Sequence, residues 1–121
     1  MKQEKITIAY KMLEKINRVP GLPFSVCSKL FMAKKSLAPY IEAQAEKENV
    51  LFENAGVDDN GKMMITKELK DAFAEILKTE VDFTMEPVVI KLTQENADKI
   101  GMTGEIMEKL EGIVQFVEVE A

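Results

Sequence analysis

FSVCSKLFMAKKSLAPYIEAQAEKENVLFENA, residues 24–55, decides how this chain can fold. Cys27, Leu30, Phe31, Ala33, Leu37, Ala38, Ile41, Ala45, Leu51, Phe52 and Ala55 recur at the spacing that puts them on one broad stripe of a helix, and Gly56 stops the pattern. Unbroken, such a helix spans about 48 Å at 1.5 Å per residue, whereas a compact globule of this chain length is about 35 Å across. One of two things must follow. Pro39 lacks an amide proton and crowds the carbonyl of Lys35, so the helix can kink or break near Ser36 to Ala38. Alternatively it stays long and projects from its own core, and its apolar stripe then needs a partner chain.

N-terminal to this segment, Lys5 to Ile8 alternates like a short strand. Ala9, Met12, Leu13 and Ile16 then predict a first short helix ending near Arg18, before the breaker Val19-Pro20-Gly21-Leu22-Pro23. On the other side, Asn60-Gly61 marks a turn and Lys62 to Ile65 reads as a short strand. Thr66 is placed to cap a third helix carrying Leu69, Phe73, Ile76 and Leu77. From Glu80 the period becomes two: Val81, Phe83 and Met85 alternate with polar residues, and Val88 to Leu92 continues the extended run. Pro87 belongs at an edge or a bend between strands. Thr93 caps a brief helical stretch closed by Gly101, and Thr103 caps a last helix with Ile106, Met107, Leu110, Ile113, Val114 and Val117. The expected fold is α+β and predominantly helical: a helical hairpin or small bundle with a long kinked central helix and a small antiparallel sheet, in one domain over residues 1–121.

Composition narrows function more by what is missing than by what is present. The chain has 121 residues and a net charge of −5, with 21 acidic residues against 16 basic ones, of which only Arg18 is arginine. It has no histidine and no tryptophan. Histidine is the commonest general base near neutral pH and the commonest metal ligand, and arginine the usual fork for phosphate, so most catalytic and nucleotide sites lose their central residue. An enzyme is not expected, nor a cofactor. The lysines are spread along the chain without a basic patch, which argues against direct nucleic-acid binding. Cys27 stands alone, so no internal disulfide forms, in keeping with a reducing compartment. No stretch approaches a membrane span and Met1 to Lys5 leads into no signal-type run, so a cytoplasmic protein is expected.

Four features carry chemistry worth weighing. Asp58-Asp59-Asn60-Gly61 lies between two helical stretches and mimics a calcium loop, with Asp58 and Asn60 at positions three and five and Gly61 at six. That register puts Gly56 at position one and Lys67 at twelve, removing two carboxylate ligands, so a plain Asx turn is the better reading and no metal is expected. Glu42, Glu46, Asn49 and Glu53 share the helix face opposite the apolar stripe. With Asp58 and Asp59 they form a negative ridge that can steer a basic protein, or imitate a phosphate backbone; the alternative is an ordinary solvated face, diluted by Lys47. Cys27 lies on the apolar stripe without a histidine to activate it and reads as a small core residue. Met63 and Met64 are adjacent and cannot both face one core if that segment is a strand, so one belongs at an interface. The candidate partner-binding residues are therefore Glu42, Glu46, Glu53, Asp58, Asp59, Met63 and Met64.

Taken together, these segments resemble a known family. Ile6, Ile8 and Leu13, the Leu22-Pro23 breaker, the long helix, Glu48-Asn49-Val50-Leu51-Phe52-Glu53-Asn54-Ala55-Gly56, the Asp59-Asn60-Gly61 turn, Phe73 to Leu77, Glu80-Val81-Asp82-Phe83 and a closing amphipathic helix are similar to small proteins encoded by phages and prophages of Gram-positive and gut bacteria. That family is known only as a domain of unknown function, and its shared residues are turn and core signatures. The resemblance implies an origin, with action in the bacterial cytoplasm or the virion; self-association is expected instead from the length of the 24–55 stripe against a small globule. Two roles fit that origin: a virion or assembly-associated protein, or an inhibitor that blocks a host defence complex.

Overall fold

The computed structural model describes residues 1–120 and is α+β, predominantly helical, with 58% of the chain in helices. In chain order the elements are α1 (Gln3–Asn17), α2 (Phe24–Glu53), α3 (Lys67–Lys78), β1 (Val88–Leu92), α4 (Gln94–Ile100), α5 (Gly104–Lys109) and β2 (Val114–Glu118).

The N-terminal alternation is not a strand. Helix α1 starts at Gln3 because Ile6, Ala9, Leu13 and Ile16, spaced three and four apart, all disappear into the core, and this burial outweighs the local β preference of Ile6 to Ile8. They pack on α2, whose buried residues are Val26, Leu30, Ala33, Leu37 and Gln44. Ala9 and Ala33 are both fully buried, and side chains this small let two helices approach closely.

Helix α2 runs without a break from Phe24 to Glu53 through Pro39. Pro39 lies on the exposed side, so the Lys35 carbonyl that loses its donor is turned toward water and the break expected near Ser36 to Ala38 does not occur. The helix is about 45 Å long, and beyond Gln44 it buries no residue. The stripe expected from sequence is therefore divided. Its first half is core, whereas Ala45 and Phe52 are exposed and Leu51 only half-buried; Phe31, expected inside, is 58% exposed. Along the outer half lies α3, joined by the Phe52 and Phe73 rings at 5.0 Å.

The sheet corrects the expected antiparallel pairing. It has two strands, β1 and β2, and they are parallel, with Val88 opposite Val114, Ile90 opposite Phe116 and Leu92 opposite Glu118. Parallel strands need a long crossover, supplied by α4 and α5. The last helix expected from Thr103 to Val117 ends at Lys109. Gly112 then adopts φ +82°, a left-handed value that favours glycine, and the β-favouring residues after it add to β1 instead of continuing the helix.

The other expected strands reduce to single bridges, Val57 with Met63 and Lys2 with Glu80. Val81 to Met85 forms no strand: Val81 N–H donates to the Met1 carbonyl and Phe83 N–H to the Val81 carbonyl, both at 2.8 Å, and Phe83 is buried, with its ring against Tyr40 at a centroid distance of 4.7 Å. Ile90, Leu92, Leu110, Ile113 and Val114 close the core from the sheet side. Among the described residues no helix is long and apolar enough to cross a membrane.

Candidate interaction surface

The turn after α2 is built around one carboxylate. Asp58 Oδ1 accepts from the backbone N–H of Asn60 at 2.8 Å and of Lys62 at 3.0 Å, while Gly61, at φ +77°, donates to the Asp58 carbonyl at 3.0 Å. This is an Asx turn, in which the carboxylate holds its own loop. The chain then returns: Asp58 N–H donates to the Lys62 carbonyl at 2.7 Å and Met64 N–H to the Gly56 carbonyl at 2.7 Å. Met63 is thereby half-buried and Met64 is 46% exposed, on opposite sides as their adjacency requires.

Glu42, Glu46 and Glu53 are exposed along α2, and Asp58 and Asp59 are exposed at its end. Among the described residues the ion pairs lie elsewhere, at Glu14, Glu80, Glu95 and Glu105. The ridge is thus an uncompensated row of carboxylates, with Asp58 already committed to the turn. Beside it lies apolar surface that the sequence singles out only in part, at Phe52 on the stripe and at Met64, and not at Val50, Val57 and Ile65. Val50, Phe52, Val57, Met64 and Ile65, on the outer end of α2 and its hairpin, are between 45% and 66% exposed. The signal was available, since α2 keeps its apolar residues after the core-forming stretch ends.

Other features offer little convergent chemistry. Cys27 is half-buried, with its thiol directed at the Leu22 carbonyl at 3.8 Å. Among the described residues no three His, Cys, Asp or Glu side chains gather as a metal site would require. Shallow clefts flank the sheet: one of about 270 Å³ lies between the first turns of α2 and the outer edge of β1, lined by Ser25, Val26, Lys29, Val89, Ile90 and Lys91. Another, of about 230 Å³, lies beside β2 and includes Met102, Met107 and Phe116. No protein-family model, curated protein or solved structure matches the chain.

Proposed function

We propose that this chain is a non-enzymatic protein of phage type that works by protein–protein contact, as a virion or assembly-associated protein. One observation carries the reading: the outer half of α2 and its hairpin bury no residue and leave Val50, Phe52, Val57, Met64 and Ile65 each between 45% and 66% exposed. Apolar residues gathered on a projecting element are characteristic of contact surfaces, and here a row of carboxylates borders them to orient the partner.

The unpaired ridge of Glu42, Glu46, Glu53 and Asp59 favours a second reading, an inhibitor that engages a basic host defence complex. Two variants separate the readings in an infection or assembly assay. Replacing Val50, Val57 and Ile65 with aspartate should abolish activity under the first reading. Replacing Glu42, Glu46 and Glu53 with lysine should abolish it under the second. Both variants should fold, because exposed substitutions usually change stability by about 0.5 kcal/mol or less each. Two folded variants that keep full activity would overturn both readings.

A further inference from the structure

The two-stranded sheet is open on both sides, and its two edges are complementary. Val88 N–H donates to the Ile113 carbonyl at 2.9 Å and Val119 N–H to the Leu92 carbonyl at 2.9 Å, which with the parallel register turns the backbone groups of Val88, Ile90 and Leu92 inward. On β1 the N–H and C=O of Val89 and Lys91 therefore face outward. On β2 those of Phe116 and Glu118 face outward, and among the described residues they have no hydrogen-bond partner. An open strand edge is a template for another strand.

The surroundings of the edges are opposite in charge. The β1 edge opens onto the cleft beside α2, where Lys29 is exposed and, among the described residues, in no ion pair, and the first turn of α2 holds no acid; Val89 and Lys91, alternating with buried Ile90 and Leu92, leave the sheet on the face away from the helices. Beside it Phe24 is 86% and Val89 41% exposed. The β2 edge is bordered by Glu118 and Glu120, also exposed and, among the described residues, in no ion pair, with Met107 48% exposed and Phe116 half-buried next to it. Glu118 pairs in register with Leu92 and so leaves the sheet on the face where the helices pack, the same face on which Lys29 lies beside β1. Both strands are five residues long.

We propose that copies of this chain join head to tail, the β2 edge of one copy adding to the β1 edge of the next, with Glu118 and Glu120 meeting Lys29 on the helix-packed face. The inference rests on the reading of the chain as an assembly protein and names its partner as a further copy. Such a contact uses two different patches, so it propagates into a ring or a filament and does not stop at a two-fold dimer. Like edges are kept apart by like charge.

Proline blocks each edge selectively. Val89→Pro and Glu118→Pro each remove an N–H that faces outward, so neither deletes a ladder bond within the chain. In light scattering or sedimentation from about 10 µM to about 1 mM, a range that detects weak association, the parent chain should grow in mass with concentration. Each proline variant alone should stay a monomer, and an equimolar mixture should form a heterodimer and nothing larger, because one functional edge of each kind remains. Charge variants give the same test without touching the backbone. Lys29→Glu, and separately Glu118→Lys with Glu120→Lys, should each associate about tenfold more weakly, and mixing the two should restore pairing. A parent chain that stays monomeric overturns the proposal, as does a proline variant that dimerises with itself. A parent that associates equally well with both edges blocked also overturns it, while leaving the α2 surface to be judged by its own variants.

Discussion

The side-chain amide of Gln3 donates to Gln44 Oε1 at 2.9 Å, joining the start of α1 to the middle of α2 with both residues buried. The Thr7 hydroxyl donates to the same oxygen, Gln3 also reaches the Tyr40 carbonyl at 3.3 Å, and Gln44 donates to Glu48 at 2.8 Å. Among the described residues every buried side-chain nitrogen or oxygen has a partner. Because a buried polar group is costly only when unpaired, this cluster favours one register of the two helices over others that apolar contacts alone would permit.

Gln44→Leu should therefore destabilise the chain by about 1–3 kcal/mol, since it removes the acceptor shared by the Gln3 amide and the Thr7 hydroxyl, which keep only the Tyr40 and Gln3 carbonyls. The pair Gln3→Leu and Gln44→Leu should cost clearly less than the sum of the two singles. Denaturant unfolding of the four proteins measures this; strictly additive losses would mean that the two side chains do not act together.

Ala33→Leu should lower stability by about 1–3 kcal/mol, because Ala33 is fully buried on α2, which packs on α1, and added methylenes overpack a close-packed core. Ala45→Leu, one helix face and three turns further on, should stay within about 0.5 kcal/mol. Thermal melts of both report whether the core ends where the structure places its boundary.

Helix α3 buries no residue fully and depends on its cap, in which Thr66 Oγ1 accepts from Leu69 N–H at 3.1 Å. Thr66→Ala should cost about 1 kcal/mol. Hydrogen exchange should quicken across residues 67–78 and leave α1 unchanged. Faster exchange throughout the chain would show α3 to be part of the cooperative core.

Millimolar calcium should leave the melting temperature where it is, because Gly56 and Lys67 stand where the loop would need carboxylates. Asp58→Ala should instead loosen the turn by releasing two backbone N–H groups, a loss of about 1 kcal/mol seen equally with and without calcium. A rise of several degrees with calcium, absent with magnesium, would contradict the ligand argument.

Local chemistry alone specified much of this molecule. The helix starts at Thr66, Thr93 and Thr103 are capped by those side chains, Gly101 ends α4 at φ +72°, and the Asp58 turn closes as its residues dictate. Each depends on a hydrogen bond or a backbone angle spanning a few residues, so neighbours in sequence suffice to define it. The outer bounds of α2 were equally legible, but the sequence leaves open whether Pro39 interrupts it, and the structure shows one continuous helix. What tertiary structure decided was every feature that depends on a distant partner. Ile6 to Ile8 became helix because Leu30, Ala33 and Leu37 wait beside it, and Val114 to Glu118 became strand because β1 offers an edge. Ile113, Val114 and Val117 fit a helical stripe as well as a strand, so periodicity could not choose between them. The ends of α2 likewise differ only in what packs against them: the same apolar pattern is core before Gln44 and open surface after it, because burial belongs to the pair of surfaces and not to either one.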